Sequence, residues 1–307
     1  MSRDLHILIP GSSNADLTGF APRLPGAGET VMGSRLQIGV GGKGCNQATA
    51  AARAGAAVWF ITRVGQDVFG EALRRHFAAE GFRDDYITTD EDATGCALIE
   101  IDERDAQNRI MVIPGANRHI GAADVQAAAR EFDHADAVLT QLETDLSAVA
   151  EAKRLAGAAG KPFLLNPAPY TPLPEGFLRG VDWFTPNETE AEGYTGIAVT
   201  DDDSVRRAAR ALLEMGVRNA VITLGHRGAY WTDGQDELFV PGFRVKAVET
   251  TGAGDTFNGA LAVAVAEGRE PSWALRFANA AAGLSVTRSG AALSAPLRSE
   301  IEDMMGQ

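Results

Sequence analysis

Short apolar runs, each the length of one buried strand, alternate along this chain with alanine-rich stretches of helical length. The strand-like runs are Leu5–Pro10, Val58–Val64, Ala137–Leu142, Phe163–Leu165, Trp183–Thr185 and Val221–Leu224. Between them lie helical stretches at Asn46–Ala54, Phe69–Ala79, Leu146–Ala159 and Ser204–Met215, three of them closed by Gly55, Gly81 and Gly216. Strands that are apolar on both faces must be covered on both faces, and parallel strands need crossover helices to do it. The pattern therefore predicts an α/β three-layer sandwich around a central, mostly parallel sheet. The last third reads as helical, over Asp255–Ala266 and Trp273–Thr287, with a short tail after Pro296.

Two segments break the rhythm. Asn14–Ile38 holds turn residues and extended pieces but no helical pattern. Thr94–Ile113 reads as two strands, Cys96–Ile101 and Arg109–Ile113, joined by a polar turn at Asp102–Asn108. Two β-rich insertions in an α/β chain can pair with each other, so a small β-sheet lid is expected from segments within 14–40 and 94–117. The 307 residues suit a single α/β domain carrying such an insertion, spanning 1–307.

Charge narrows the partners. A formal net charge of -13 opposes a phosphate backbone and an anionic membrane, so neither nucleic acid nor membrane is expected. A mononucleotide is not excluded, because a few local donors and a metal ion decide that contact. Cys45 and Cys96 form no CxxC pair and read as reduced thiols. The first apolar run is too short for a leader or a membrane span, and a cytoplasmic protein is expected.

The chemistry-bearing motifs all follow predicted strands. Thr251-Gly252-Ala253-Gly254-Asp255-Thr256-Phe257 opens an apolar helix. Free N–H groups in such a first turn can hold the charge that develops on a transferring phosphoryl group, and Asp255 could take the proton of an attacking hydroxyl. Taken alone, an aspartate there reads as a helix cap as readily as a base. Asn187 and Glu190 fall on one face of a helix turn, where an amide and a carboxylate suit Mg²⁺ or simply complement the helix dipole. The glycines of Thr223-Leu224-Gly225-His226-Arg227-Gly228 would admit a nucleotide or make a plain strand-to-strand turn. Gly39-Val40-Gly41-Gly42-Lys43-Gly44 matches G-x-G-x-x-G, but it lies outside the first βα unit and follows a poor buried strand. A glycine hinge beside a polyol site, with Lys43 and Asn46 as donors, fits better. Asp16, in Ser13-Asn14-Ala15-Asp16, and Glu143 are carboxylates able to accept from adjacent hydroxyls, though Asp16 is also an ordinary turn residue.

Together these motifs resemble the ribokinase family of carbohydrate kinases, from about Leu5 to Pro296. The likeness rests on Ser13–Asp16, Gly41–Ala48, Asn166–Pro169, Thr185–Glu192 and Gly252–Gly259. It implies ATP-dependent phosphorylation of ribose at O5, and a ribokinase-like fold whose lid often pairs with a second lid in a homodimer. It implies Asp255 as the catalytic base, with the amides of Gly252, Ala253, Gly254 and Asp255 as an anion hole. Asn14, Asp16, Gly42, Lys43, Asn46 and Glu143 match sugar positions. Asn187, Thr223, Gly225, Gly228, Gly254 and Asn279 match positions on the ATP side, and Glu190 matches a glutamate associated with Mg²⁺. A K⁺ site would involve Glu249, Thr251, Ser285, Arg288, Gly290 and Ser294. Glu249 stands where aspartate is usual and Asn279 where histidine is common, so the cation site and the adenine contacts are where this chain departs from the pattern.

Rival readings remain at this level. Another sugar or nucleoside kinase of the same family, with deoxyribose as its substrate, differs by one hydroxyl. A nicotinamide oxidoreductase would rest only on the glycines at 39–44. A non-catalytic sugar sensor would have no use for Asp255.

Overall fold

The computed structural model describes residues 5–104 and 107–306; Asp105 and Ala106, in the polar turn expected at Asp102–Asn108, lie outside the described residues. The strands run β1 (His6–Pro10), β2 (Asn14–Ala21), β3 (Arg35–Gly41), β4 (Ala57–Gly65), β5 (Ile87–Asp90), β6 (Gly95–Asp102), β7 (Asn108–Ile113), β8 (Ala137–Thr140), β9 (Phe163–Leu165), β10 (Trp183–Phe184), β11 (Asn219–Thr223), β12 (Ala229–Thr232) and β13 (Glu237–Val240). The helices are α1 (Lys43–Arg53), α2 (Val68–Ala79), α3 (Ala122–Ala127), α4 (Leu146–Ala158), α5 (Glu188–Thr195), α6 (Asp202–Glu214), α7 (Ala253–Ala266), α8 (Pro271–Ser285) and α9 (Arg298–Met305).

Among the described residues, nine strands form the large sheet in the order β13-β12-β11-β10-β9-β8-β1-β4-β5. Every pairing from β11 to β5 is parallel, and β12 and β13 add an antiparallel edge. The apolar runs work as expected because successive side chains alternate between the faces. Ile7, Ile9, Val58 and Phe60 pack with α1, α7 and α8 on one side. Leu8, Trp59 and Ile61 pack with α4 and α6 on the other. Helix α7 lies deep in the first layer, buried all round from Asp255 to Ala264, which is why its sequence lacks a polar stripe.

The insertions form the expected second sheet, in the order β3-β2-β6-β7. β2 pairs with β6 in parallel, and β3 and β7 flank them antiparallel. Its outer strands carry exposed apolar side chains, among them Ile38 at 61% and Met111 at 62% exposure.

The sequence reading placed several boundaries differently. Lys43 already sits in the first turn of α1, which begins three residues before Asn46. Strands expected to reach Leu142, Thr185 and Leu224 end at Thr140, Phe184 and Thr223. In each case the chain leaves the sheet just where site residues begin. The helix expected from Ser204 starts at Asp202, because Asp201 caps it. The helix expected over Trp273–Thr287 runs from Pro271 to Ser285. Among the described residues, no helix is long and apolar enough to cross a membrane.

Candidate active site

The site lies where the carboxyl ends of β1, β8, β9, β10 and β11 meet the amino ends of α1 and α7, the usual ligand side of a parallel sheet. Gly252 precedes α7 with φ +79°, and a Cβ there would lie 3.1 Å from Ala291 Cα. Only glycine both adopts that turn and tolerates that approach. No side chain caps α7; of its first N–H groups, that of Ala253 donates to Thr250 O at 3.3 Å. Asp255 stands in this first turn, buried. Its Oδ2 accepts Asn46 Nδ2 at 2.8 Å and its Oδ1 accepts Gln47 Nε2 at 3.1 Å. Asp255 is also the main reason the Lys43 ammonium is held above its ordinary pKa, against the opposing effect of burial.

A small cavity of about 190 Å³ contains these groups. Lys43, Asn166, Thr185, Asn187, Glu190 and Asp255 help to line it. Glu190 is buried in it, and that burial raises its carboxyl pKa. Asn187 and Glu190 form a reciprocal cap on α5: Glu190 N donates to Asn187 Oδ1 at 2.8 Å, and Asn187 N donates to Glu190 Oε2 at 2.9 Å. The pair the sequence offered as a joint metal site thus has its amide oxygen engaged in the cap. One buried carboxylate facing a polar cavity still fits Mg²⁺, which keeps most of its waters.

A larger cleft of about 890 Å³ adjoins the first, and Thr223 and Gly254 line both. Gly225, Gly228, Phe243, Phe257, Asn279 and Val286 shape its walls. Its apolar lining and size suit a purine nucleotide. Thr223 N bonds Pro186 O at 3.0 Å, which sets Asn187 beside Thr223. Asn279 donates Nδ2 to Val240 O at 3.0 Å and so holds the end of β13.

The other sugar-side candidates converge from the lid junction. Gly42 has φ +86°, and a Cβ on it would lie 2.8 Å from Asn14 N, so β3 of the small sheet enters α1 through a position open only to glycine. Asn14 accepts Asn117 Nδ2 on its Oδ1 at 2.8 Å, which leaves its own Nδ2 to donate. Asp16, on β2, has its carboxyl pKa pushed up to about 7, by burial first and then by the carboxylates of Glu143, Asp255 and Glu249. Glu143 Oε2 accepts Ser12 Oγ at 2.6 Å and the Lys43 amide at 2.9 Å, tying β1, β8 and α1 together.

The residues named for a monovalent cation are only partly gathered. Glu249 Oε2 accepts Gly290 N at 3.0 Å, in the loop that Gly252 packs against. Ser285 and Ser294 instead donate their hydroxyls to the carbonyls of Ala282 and Ala291. The Arg288 guanidinium pairs with Glu300. Among the described residues, no group of three or more His, Cys, Asp or Glu side chains is placed to hold a metal ion.

Sequence reasoning assigned no role to Gln47, Asn117, Gln141, Asn166, Thr185 or Asn258, all buried in or beside the site. The available signal was an uncharged polar residue inside an apolar run: Gln47 in an alanine-rich helix, Gln141 after Ala137–Thr140, Asn258 in α7. Such a residue needs a partner when buried.

Comparison with known proteins agrees with this geometry. Residues 4–298 match the model of the pfkB family carbohydrate kinases. The chain is 40% identical over 295 residues to a ribokinase of Haemophilus influenzae, covering 96% of each chain. It is 36% identical over 294 residues to a deoxyribokinase of Salmonella typhi, covering 95% of this chain and 96% of that one. The solved structure of Arabidopsis thaliana ribokinase complexed with ribose and ATP superposes with a TM-score of 0.91 at 30% identity, over 99% of this chain and 100% of that chain.

Proposed function

The chain belongs to the pfkB family of carbohydrate kinases, and on that premise we propose that it transfers the γ-phosphoryl group of ATP to O5 of D-ribose. The observation that carries this reading is Asp255, in the uncapped first turn of α7, where the small polar cavity meets the larger cleft. The sugar O5 hydroxyl faces Asp255 from the lid side, and the terminal phosphate enters over Gly254 from the cleft. Asp255 takes the hydroxyl proton as the new P–O bond forms and the bond to the ADP oxygen breaks. The amides of Gly252 to Asp255 receive the charge on the equatorial oxygens. Lys43 adds a fixed positive charge to the same cavity.

Asn14, Asp16, Gly42, Lys43, Asn46 and Glu143 are assigned to the sugar. Asn46 Oδ1 is buried without a hydrogen-bond partner, a free acceptor that a sugar hydroxyl would satisfy. Asn187, Thr223, Gly225, Gly228 and Asn279 are assigned to ATP. Mg²⁺ would be held through water by Glu190, and it would neutralise phosphate charge there. K⁺ would bind beside Glu249 and Gly290 and order the anion-hole turn.

The chain is read as one α/β unit with the β2-β3-β6-β7 sheet as its lid. Exposed Leu36, Ile38, Ile110 and Met111 on that sheet favour a homodimer through the lids. Dependence on ATP and two unpaired thiols fit a cytoplasmic setting.

The second reading, a deoxyribokinase, draws on the Salmonella relative. A half-buried carboxylate at Asp16, and a donor at Asn14, favour a sugar that keeps its 2-hydroxyl, since a site built around a hydroxyl rejects the analogue lacking it. A coupled ADP-release assay across ribose, 2-deoxyribose, fructose and ribonucleosides decides between them. Ribose should have the highest kcat/KM, and equal efficiency with 2-deoxyribose would overturn the assignment.

A further inference from the structure

We propose that Gln47 is a positioning residue that aims the Asp255 carboxylate, and that its amide is oriented by Gln141 and Asn166 through a buried ring of hydrogen bonds anchored on the Thr185 peptide. This rests on the reading of Asp255 as the base.

The orientation can be followed from a group that cannot flip. The backbone carbonyl of Thr185 only accepts, and Asn166 Nδ2 donates to it at 2.9 Å. Asn166 must therefore present Oδ1 on its other side. That oxygen receives Gln47 Nε2 at 3.0 Å, so Gln47 must show its NH₂ there. The same NH₂ reaches Asp255 Oδ1 at 3.1 Å. Gln141 closes the logic from behind by donating Nε2 to Gln47 Oε1 at 2.7 Å. A flipped Gln47 would set an oxygen against both Asp255 Oδ1 and Asn166 Oδ1, so both of those contacts would become repulsive.

The ring returns to the base through its own turn. Thr185 Oγ1 donates to Asn258 Oδ1 at 2.5 Å, and Asn258 Nδ2 donates to the Gly254 carbonyl at 2.8 Å. Both the carboxylate of Asp255 and the peptide before it are thus fixed relative to one residue at the end of β10. Gln47 and Gln141 are 0% and 1% exposed, so water cannot replace a lost donor without opening the core. Neither side chain lines the two cavities. Asn46, holding the other carboxylate oxygen, faces the sugar side with a free acceptor; Gln47 has both ends of its amide engaged. The division predicts different kinetics: loss of Gln47 should lower kcat alone.

The test compares Gln47→Met, Gln141→Met, the double variant and Asp255→Asn with the wild type in steady-state kinase assays, with ribose and ATP binding measured by calorimetry. Misplacing a catalytic group by about 1 Å costs up to ~100-fold, so Gln47→Met should lose about 10- to 100-fold in kcat with both KM values within about threefold. Gln141→Met touches no reacting group and should lose several-fold in kcat. In the Gln47→Met background the same change should cost nothing further, because its effect runs through Gln47. If Gln47→Met does not fold, Gln141→Met still decides the case by its split between kcat and KM. Wild-type kcat in the single variants, or a full additional loss in the double variant, would overturn the proposal. An inactive Asp255→Asn beside unaffected glutamine variants would remove only the positioning role, whereas an active Asp255→Asn would remove the base itself.

Discussion

Asn46 donates Nδ2 to Asp255 Oδ2 at 2.8 Å across 209 residues of chain, joining the start of α1 to the start of α7. One helix begins where the small sheet joins the core and the other at the glycine turn proposed as the anion hole, so this contact links the two sides of the proposed site. It also holds the Asp255 carboxylate in place before any substrate arrives.

Asp255→Asn removes the base and also turns an NH₂ toward one of the two donors, Asn46 Nδ2 or Gln47 Nε2, so one of those bonds is lost with it. Loss of a general base costs about 10²- to 10⁴-fold. Turnover should fall by that factor, with ribose and ATP affinity, measured by calorimetry, close to wild type. A variant retaining more than about a tenth of wild-type kcat would leave Asp255 as a helix cap.

Ribose affinity should depend on pH through Asp16. Its folded-state pKa near 7 means that the carboxylate able to accept sugar hydroxyls is depleted below neutrality. Affinity should therefore fall about tenfold from pH 8 to pH 6, with proton release on binding at the lower pH. Asp16→Asn should flatten this dependence and bind ribose more weakly at pH 8. Stability carries the opposite sign. Between the unfolded value near 4 and the folded value near 7, the native protein holds a proton that the unfolded chain has lost. The free enzyme should thus become less stable as pH rises through that window, then level off. Calorimetric ribose titrations and thermal melts from pH 5 to 8 measure both; a pH-independent affinity contradicts the assignment.

Sugar binding should close the lid. Gly42, at φ +86°, joins β3 of the small sheet to α1, and the outer strands of that sheet are exposed. Closure would shield the transfer from water and limit ATP hydrolysis. Amide hydrogen exchange over residues 94–104 and 107–113 should slow when ribose is added. Identical exchange with and without ribose would rule closure out.

Potassium should activate the enzyme, and Glu249→Asp should respond at lower potassium concentration than the wild type. In the present arrangement the longer Glu249 arm is spent on Gly290 N at 3.0 Å, in the loop that supports Gly252. An aspartate would reach less far, release Gly290 N and free its carboxylate for a cation. Activity titrated with KCl at constant ionic strength checks this. Superimposable curves for the two proteins would refute the effect of side-chain length, and flat curves for both would remove the cation.

The layered fold and the second small sheet were legible in the sequence because both follow from local chemistry. Apolar runs such as Leu5–Pro10 and Ala137–Thr140 have no solvent-facing side, so they can only be inner strands, and the closely spaced glycines at 252 and 254 mark a turn opening a helix. The candidates Asp255, Asp16 and Glu190 were visible for a similar reason: each is a charged group at the end of an apolar run. What the sequence could not determine is which polar groups meet. Asn187 and Glu190 read equally as a metal pair or a helix start, and the structure shows that they cap α5 together. Gln47, Gln141 and Asn166 were given no role, yet Gln47 bonds Asp255 and the other two bond Gln47. Hydrogen bonds act over about 3 Å and depend on direction. Residues separated by 94 to 209 positions are brought within that distance only when the sheet stacks β8, β9 and β10 beside α1 and α7.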